Sequence, residues 1–533
     1  MGLWNLYFAA KLYLYSLGKL QVIWLLNILF AIAPLVPLHL RWLRITRNVL
    51  AVLAGIALFY HESGWPSISR AISQIPVLLT FTPSYMIELL GRLVSLKAII
   101  VVVLVVLLYF LINRWIRVTT LVLIALVGVP LYQGAGTLVA NATSALAQNG
   151  DGSSDGSDGS DGRNANEPKN DQAGGYDQQL AAFRANEEGR RVNFTPLTSD
   201  PSAQFDIIVV HICSLSWDDM DVVKMRNNPL FSRFDYVFQN FSSGASYSGP
   251  AAIRVLRATC GQEAHKSLYD PAPPECHLFA QLAAAGYTPN ALLNHNGRFD
   301  DFRGTVIKEI GVPGVTIPSN EGLPVFMKEF DNSDLADDYD VIARWYKQRI
   351  AAGGGPVALY YNTVSMHDGN RLPNTKMTSL ESYPVRLQTL LGDVDKVINL
   401  VQQSGRKAVI VFVPEHGAAL RGEENQIAGM REIPTPNIVH VPVGVKVVGL
   451  PSGTEQAGGP VTIDQPTSYL ALAQLLANLV AKSPFAVGAQ PLAQYAQNLP
   501  QTRMVGENEG TVMMTTPSGY VIHTPDGVWV EGK

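Results

Sequence analysis

Three β-branched runs end on residue types that bind metals or move protons. The first closes as Val-Val-His-Ile-Cys, with Cys213 at its tip, and the second as Val-Phe-Val-Pro-Glu-His-Gly, with Glu415 and His416 just beyond it. The third runs through Asn-Thr-Val-Ser-Met-His-Asp and places His367 just past its end. Thiolate, carboxylate and imidazole together suit zinc, which takes sulfur, oxygen and nitrogen ligands in near-tetrahedral geometry and keeps one position open for a reacting oxygen in catalytic sites. Gly417 is expected to give the chain a sharp turn after His416. Singly, a strand-end cysteine is a small buried hydrophobe and a His-Gly pair is a turn. Their convergence on one sheet edge is what favours a metal centre.

The fourth position has a candidate in Ser248, which precedes Gly249 and Pro250 at the start of a helical run in Gly-Ala-Ser-Tyr-Ser-Gly-Pro-Ala. Proline favours the first turn of a helix, and a serine there is ordinarily an N-cap. The same place offers unpaired backbone N–H groups and a positive dipole end, which suit a phosphate and favour an alkoxide. A zinc ion beside this oxygen would lower its pKa by several units, giving a nucleophile at neutral pH. Two rival nucleophiles fail on spacing. A hydrolase elbow needs Gly-x-Ser-x-Gly, but Ser248 stands where the second glycine should be. A cysteine phosphatase loop built on Cys213 would put Asp219 where an arginine is required.

Three cysteines leave one unpaired in an oxidising compartment. Cys260 and Cys276 are the natural disulfide, closing a proline-rich loop worth about 3 kcal/mol on the chain-entropy account. Cys213 is then a free thiol that metal ligation would protect.

The elements needed to hold these residues follow from Phe205 onward. Strands are expected at 206–212, 236–241, 291–294, 357–363, 408–413 and 439–448. Helices are expected at 250–259, 277–285, 335–350, 379–403 and 467–479. Continuous apolar strands alternating with helices imply a mainly parallel sheet covered on both faces, an α/β sandwich. In such sheets ligands bind beyond the carboxyl ends of the strands, where Cys213, His367, Glu415 and His416 stand. Runs at 510–516, 519–523 and 528–530 predict a small C-terminal β appendage.

The first 140 residues have a different chemistry. Of the 533 residues, 47% are hydrophobic and 16% charged, and a mean hydropathy of +0.12 averages an apolar N-terminal part with a polar remainder. About 20 apolar residues cross a bilayer as a helix. Stretches 20–40, 49–60, 97–112 and 118–138 qualify, and 3–17 makes a fifth although Lys11 interrupts it, with room to snorkel or to face other helices. A cleavable signal peptide lacks its basic start and small-residue cleavage site here. Short loops carrying Arg41, Arg44 and Arg47, and then Arg114 and Arg117, are expected in the cytoplasm, so 62–96 and everything after 138 fall on the opposite face. The expected division is a transmembrane domain at 1–140, a flexible linker at 141–201 and a periplasmic catalytic domain at 202–533. The linker contains the run NGDGSSDGSDGSDGR, which cannot bury enough apolar surface to order itself, and it continues to about 200 as a loose or partly helical lead-in. A net charge of −4, with no basic stripe, excludes nucleic acid as a partner.

At these residues the chain resembles the alkaline phosphatase and sulfatase superfamily, specifically its membrane-anchored phosphoethanolamine transferases. It departs from their lipid A branch, which carries an acidic residue, a threonine, Asp-His and many disulfides where this chain has Cys213, Ser248, Glu415-His416 and one bridge. With HICSLSWDD, SYSGPA, SMHDG and VPEHG, it is similar to the cellulose-modifying phosphoethanolamine transferases of bacterial cellulose synthase operons.

The resemblance implies an alkaline-phosphatase/sulfatase-like α/β sandwich in the periplasm, anchored in the inner membrane. It implies phosphatidylethanolamine as donor, the C6 hydroxyl of cellulose as acceptor, cellulose synthase subunits as partners, and Zn2+ held by Cys213, Ser248, Glu415 and His416. It also implies that Tyr247 and Arg431 stand near the nucleophile and phosphate, with Arg421 competing for the register of Arg431. His367 is expected to transfer a proton to the leaving group or from the acceptor, with orienting the substrate as the alternative. A related lipid A or phosphoglycerol transferase, or a structural subunit of the synthase, are the alternatives. His211, His295 and His440 are expected as satisfied core histidines, with roles behind the metal ligands or toward substrate as the alternative; Asn294-His-Asn-Gly is polar enough to line a cleft but is not counted as a site, and Trp217 is expected as a core aromatic with stacking on sugar as the alternative.

Overall fold

The computed structural model describes residues 2–17, 20–37, 39–63, 78–93, 96–132, 171–423, 426–450 and 459–532. It divides into two compact units, one of residues 1–80 and 93–167 and the other of 81–92 and 168–533. The second unit takes in helix Asp171–Glu188 together with the sandwich, and also a short piece of the N-terminal third. The Gly/Ser/Asp run at 149–163 lies outside the described residues.

The second unit is built on β1 (Asp206–Ile212), β2 (Tyr236–Ser242), β3 (Thr288–Leu293), β4 (Val325–Lys328), β5 (Asp334–Ala336), β6 (Val357–Thr363), β7 (Ala408–Pro414), β8 (His440–Val448) and β9 (Val461–Ile463). Seven of these form one sheet in the order β3-β6-β1-β7-β8-β2-β9, and β4 pairs with β5 alone. Strands β3, β6, β1 and β7 are parallel, β8 runs against both β7 and β2, and β9 lies parallel to β2. All seven residues of β1 are buried. Ile207 and Val209 pack into one apolar layer, with helices Leu278–Ala285 and Tyr469–Ala481. Ile208, Val210 and Ile212 pack into the other, with Asp338–Ala352 and Ser379–Gln403. Both faces are covered, so the α/β sandwich is present as expected.

The appendage is a four-stranded antiparallel sheet of β10 (Val505–Asn508), β11 (Thr511–Thr516), β12 (Gly519–His523) and β13 (Trp529–Gly532). Helix Asp171–Glu188, expected as linker, packs on it. Phe183 is buried with Val505, Met514, Val521 and Trp529, and Trp529 Nε1 donates to Asp177 at 2.9 Å.

In the first unit, among the described residues, one helix is long and apolar enough to cross a membrane, Arg41–Glu62. Helices Trp24–Leu35, Ile99–Ile112 and Val118–Tyr132 are apolar but shorter, and Trp4–Ser16 has 13 residues. The expectation of five crossings is thus met by length only once. The stretch 20–40 is cut because Pro34 forces a short 3-10 turn at Ala33–Leu35. Arg41, Arg44 and Arg47 are not loop residues either, since they lie in the first two turns of Arg41–Glu62. Lys11 does not snorkel. It is buried in an ion pair with Glu62, and Asn27 bonds to both.

Candidate active site

Parallel pairing of β1 with β7 sets Ile212 beside Pro414, so the next residue of each strand, Cys213 and Glu415, emerges at the same edge. Glu415 N–H donates to Ile212 O at 2.8 Å, Cys213 N–H to Thr363 O of β6 at 2.9 Å, and Leu215 N–H to His416 O at 2.6 Å. The backbone lattice thus continues one residue past the strands and fixes where the side chains leave it. Asp219 ties the loops together, accepting from Ser216 N–H at 2.9 Å, Ala418 N–H at 2.6 Å and Leu420 N–H at 3.2 Å. Gly417 is needed for a reason other than the turn expected of it. A Cβ there would lie 2.7 Å from Ser216 Oγ and 3.0 Å from Asp219 Oδ2, so close approach excludes a side chain.

Ligand atoms of Cys213, Glu415 and His416 lie within 4.8 Å of one another, and all three residues are fully buried. His416 Nδ1 donates to Gly417 O at 2.9 Å, which leaves the Nε2 lone pair facing inward, 3.6 Å from Glu415 Oε2. Glu415 Oε1 accepts from Asn362 Nδ2, while Oε2 has no hydrogen-bond partner. Two acceptors face each other beside the Cys213 thiol and the Ser248 hydroxyl, the donors nearest to them. Burial pushes Glu415 up to about 7 and Cys213 up to about 12, and holds His416 well below its ordinary value. A soft divalent cation would satisfy all three groups at once, and the sulfur-oxygen-nitrogen donor set fits zinc.

Ser248 opens helix Ser248–Leu256, and its neighbour Tyr247 is the N-cap residue. The Ser248 hydroxyl is therefore not spent on capping. It points to the cluster, with Oγ 3.3 Å from Cys213 Sγ and 3.4 Å from His416 Nε2. Arg431 donates from Nε to Ser246 O at 3.2 Å, its guanidinium lies 5.3 Å from the centre of the Tyr247 ring, and its buried Nη1 has no partner. Tyr247 OH donates to Glu432 at 2.9 Å. Arg421 is engaged elsewhere, 2.9 Å from Asp218. His367 lies against Phe330, at 5.2 Å between ring centres, and its Nδ1 contacts Asp368 O at 2.6 Å. Burial and the charge of Arg431 hold it down to about 4, so the ring is neutral at ordinary pH with its Nε2 lone pair free.

Behind the cluster stands Asn362, which sequence reasoning missed. It bonds Glu415 on one side and accepts from His295 Nε2 at 3.1 Å on the other. The signal was an asparagine inside a buried strand, Val-Ala-Leu-Tyr-Tyr-Asn-Thr. His211, fully buried, contacts Tyr360 OH at 3.0 Å, and His440 contacts Gln239 O at 2.6 Å. Asn294 is a structural tie, donating to Ser365 and accepting from Val364 N–H, not a cleft residue. Trp217 is 4% exposed, packed on Phe231 with the Arg226 guanidinium 4.7 Å from its ring, so it is a core aromatic. The Cys260–Cys276 disulfide is formed and Cys213 is free.

With this arrangement in view, the comparisons are specific. Residues 160–529 match the family described as the cellulose biosynthesis protein BcsG C-terminal domain, and residues 4–131 its N-terminal domain. The chain belongs to the BcsG family. Its curated relatives include the cellulose biosynthesis protein BcsG of Salmonella typhimurium, 34% identical, and that of Escherichia coli K12, 33% identical. Each alignment covers 99% of this chain and 95% of the relative. Among solved structures, the integral membrane lipooligosaccharide phosphoethanolamine transferase EptA of Neisseria meningitidis is 14% identical with a TM-score of 0.41, covering 87% of this chain and 96% of that one.

Proposed function

We propose that this BcsG-family chain is a zinc-dependent phosphoethanolamine transferase of the alkaline phosphatase superfamily, moving the group from phosphatidylethanolamine to the C6 hydroxyl of cellulose. The observation that carries the reading is the Ser248 hydroxyl, 3.3 Å from Cys213 Sγ and 3.4 Å from His416 Nε2, at a helix start where it caps nothing. Zinc bound by Cys213, Glu415 and His416 would supply positive charge that makes this hydroxyl acidic. Ser248 Oγ then forms a bond to the donor phosphorus, the phosphorus–oxygen bond to diacylglycerol breaks, and the serine's proton passes through His367 to the departing diacylglycerol oxygen. Arg431 Nη1 and the first N–H groups of helix Ser248–Leu256 hold the nonbridging oxygens. In the second half the cellulose hydroxyl gives its proton to His367 and attacks the phosphoethanolamine-serine, the Ser248 Oγ–phosphorus bond breaks, and Ser248 regains the proton from His367. Tyr247, whose phenol burial and Glu432 keep protonated, braces Arg431 beside the nucleophile.

The anchoring belongs to the same proposal. Leu53, Ile56, Leu104, Leu107, Leu121 and Ile124 are exposed large apolar residues on three helices, as lipid-facing surfaces are. The apolar helices of the first unit, Arg41–Glu62 foremost, are taken to anchor the chain in the inner membrane, with the sandwich in the periplasm near cellulose synthase subunits. Transfer of labelled ethanolamine phosphate from phosphatidylethanolamine vesicles to a cello-oligosaccharide, read by mass spectrometry, is expected for the wild type and absent for Ser248→Ala. Undiminished transfer by that variant would remove Ser248 from the reaction.

A further inference from the structure

Residues Phe81–Arg92 come from the chain between two apolar helices, yet they belong to the second unit. Their helix, Pro83–Leu93, sits in a seat shaped for it. A Cβ on Gly369 would lie 2.9 Å from Tyr85 Cζ, and a Cβ on Gly429 would lie 2.7 Å from Arg92 Nη1. Both glycines also have φ near +87°, at +86° and +87°, where other residues are strained.

The contacts converge on the two neighbours of His367. Asp368 Oδ2 accepts from Arg92 Nη1 at 2.6 Å and from Tyr85 OH at 3.0 Å, and Oδ1 accepts from Arg92 Nη2 at 2.9 Å. Phe330, the ring lying against His367, is backed by Phe81 at 5.3 Å, and its carbonyl accepts from Thr82 N–H at 2.9 Å. Glu88 anchors the helix from the other side, accepting from Arg92 at 2.5 Å, Arg371 at 3.3 Å and Ser379 N–H at 3.1 Å. Asp368 is 8% exposed and held by a bidentate guanidinium, a geometry that fixes direction as well as distance. Its own carbonyl is the partner of His367 Nδ1. Fixing the side chain of Asp368 therefore fixes the group that sets the tautomer and tilt of His367.

We propose that Arg92 and Tyr85 are positioning residues for His367, supplied to the active site by the chain between the membrane helices. The inference rests on the reading of His367 as the proton-transfer group. Neither residue touches the reacting atoms; each acts through Asp368. The segment is thereby more than a connection, because a sandwich without it lacks one wall of the His367 loop.

A double-mutant cycle on the full-length chain in vesicles of phosphatidylethanolamine and phosphatidylglycerol, with a cello-oligosaccharide acceptor, tests this. Arg92→Gln is expected to slow turnover on the order of tenfold, the kinetic equal of one lost charge-assisted hydrogen bond, and Tyr85→Phe is expected to slow it less. Arg92→Lys should recover part of the loss. In the background of His367→Ala, whose residual turnover sets the baseline, Arg92→Gln should cost nothing further. A purely structural role would instead give losses that multiply. Wild-type turnover by Arg92→Gln, or multiplicative losses with His367→Ala, would overturn the positioning role while leaving the proposed function intact. If Arg92→Gln does not fold, Tyr85→Phe carries the same cycle. No transfer by the wild type itself would sink the proposed function, and this inference with it.

Discussion

Cys213, Glu415 and His416 meet because adjacent parallel strands end in register, with Ile212 beside Pro414. Such positions are readable in a sequence: a polar residue directly after an apolar β-branched run sits at the edge where α/β sheets bind ligands. Ser248 was readable for the matching reason, as a hydroxyl just before Gly-Pro at a helix start. Residues that act through others were less legible. Asn362 lies inside its strand, where an apolar residue is the rule, and nothing in local spacing says that its amide reaches Glu415. Arg92 and Asp368 are 276 positions apart, and no short-range pattern joins them. The thiol gives the sharpest residue-scale prediction. If zinc sits on Cys213, Glu415 and His416 as proposed, Cys213→Ala removes one of the three, and affinity for zinc should fall by more than the 10–100-fold roughly expected for loss of an outer partner. Elemental analysis after dialysis against a weak chelator should find the wild type loaded and the variant empty; equal zinc content would exclude Cys213 as a ligand.

At the scale of elements, the sandwich followed closely from periodicity, since buried parallel strands read as continuous apolar runs. The short β9 and β10 were not foreseen, because three or four residues carry too little pattern. Helix Asp171–Glu188 falls in the lead-in expected to be loose or partly helical, and its bounds were hidden by polar composition, although Tyr176, Leu180 and Phe183 stand at the i, i+4, i+7 spacing of one helical face. That face is the cover of the C-terminal sheet. Arg184 pairs with Glu507 at 3.2 Å and Arg503 donates to Gln179 at 3.0 Å around its edge. Phe183→Ala in the full chain should cost about 3 kcal/mol, the ordinary cost of emptying a buried aromatic site. Urea unfolding followed by tryptophan fluorescence should show it as a lower midpoint at unchanged slope. An unchanged midpoint would mean that the helix contributes no stability to the domain.

Over the whole molecule, the chain passes from the first unit to the second and back before entering the second for good, at residues 81, 93 and 168. Composition located the apolar first 140 residues but overstated their spans, because windows of hydropathy do not register where Pro34 ends a helix or where Arg41, Arg44 and Arg47 join one. The end of the chain returns to the active site. Glu507 N–H donates to Gly244 O at 3.1 Å and Asn508 Nδ2 donates to Glu432 O at 3.1 Å, so β10 braces both the loop before Ser248 and the Arg431 loop. The C-terminal sheet thus supports the surroundings of Ser248 from a distant part of the sequence. All of this converges on one covalent event. Full-length protein incubated with phosphatidylethanolamine vesicles in the absence of cellulose, then digested and sequenced by mass spectrometry, tests it most directly. A phosphoethanolamine adduct on Ser248 is expected, disappearing when a cello-oligosaccharide is added; transfer to the oligosaccharide with Ser248 unmodified throughout would contradict a covalent Ser248 intermediate.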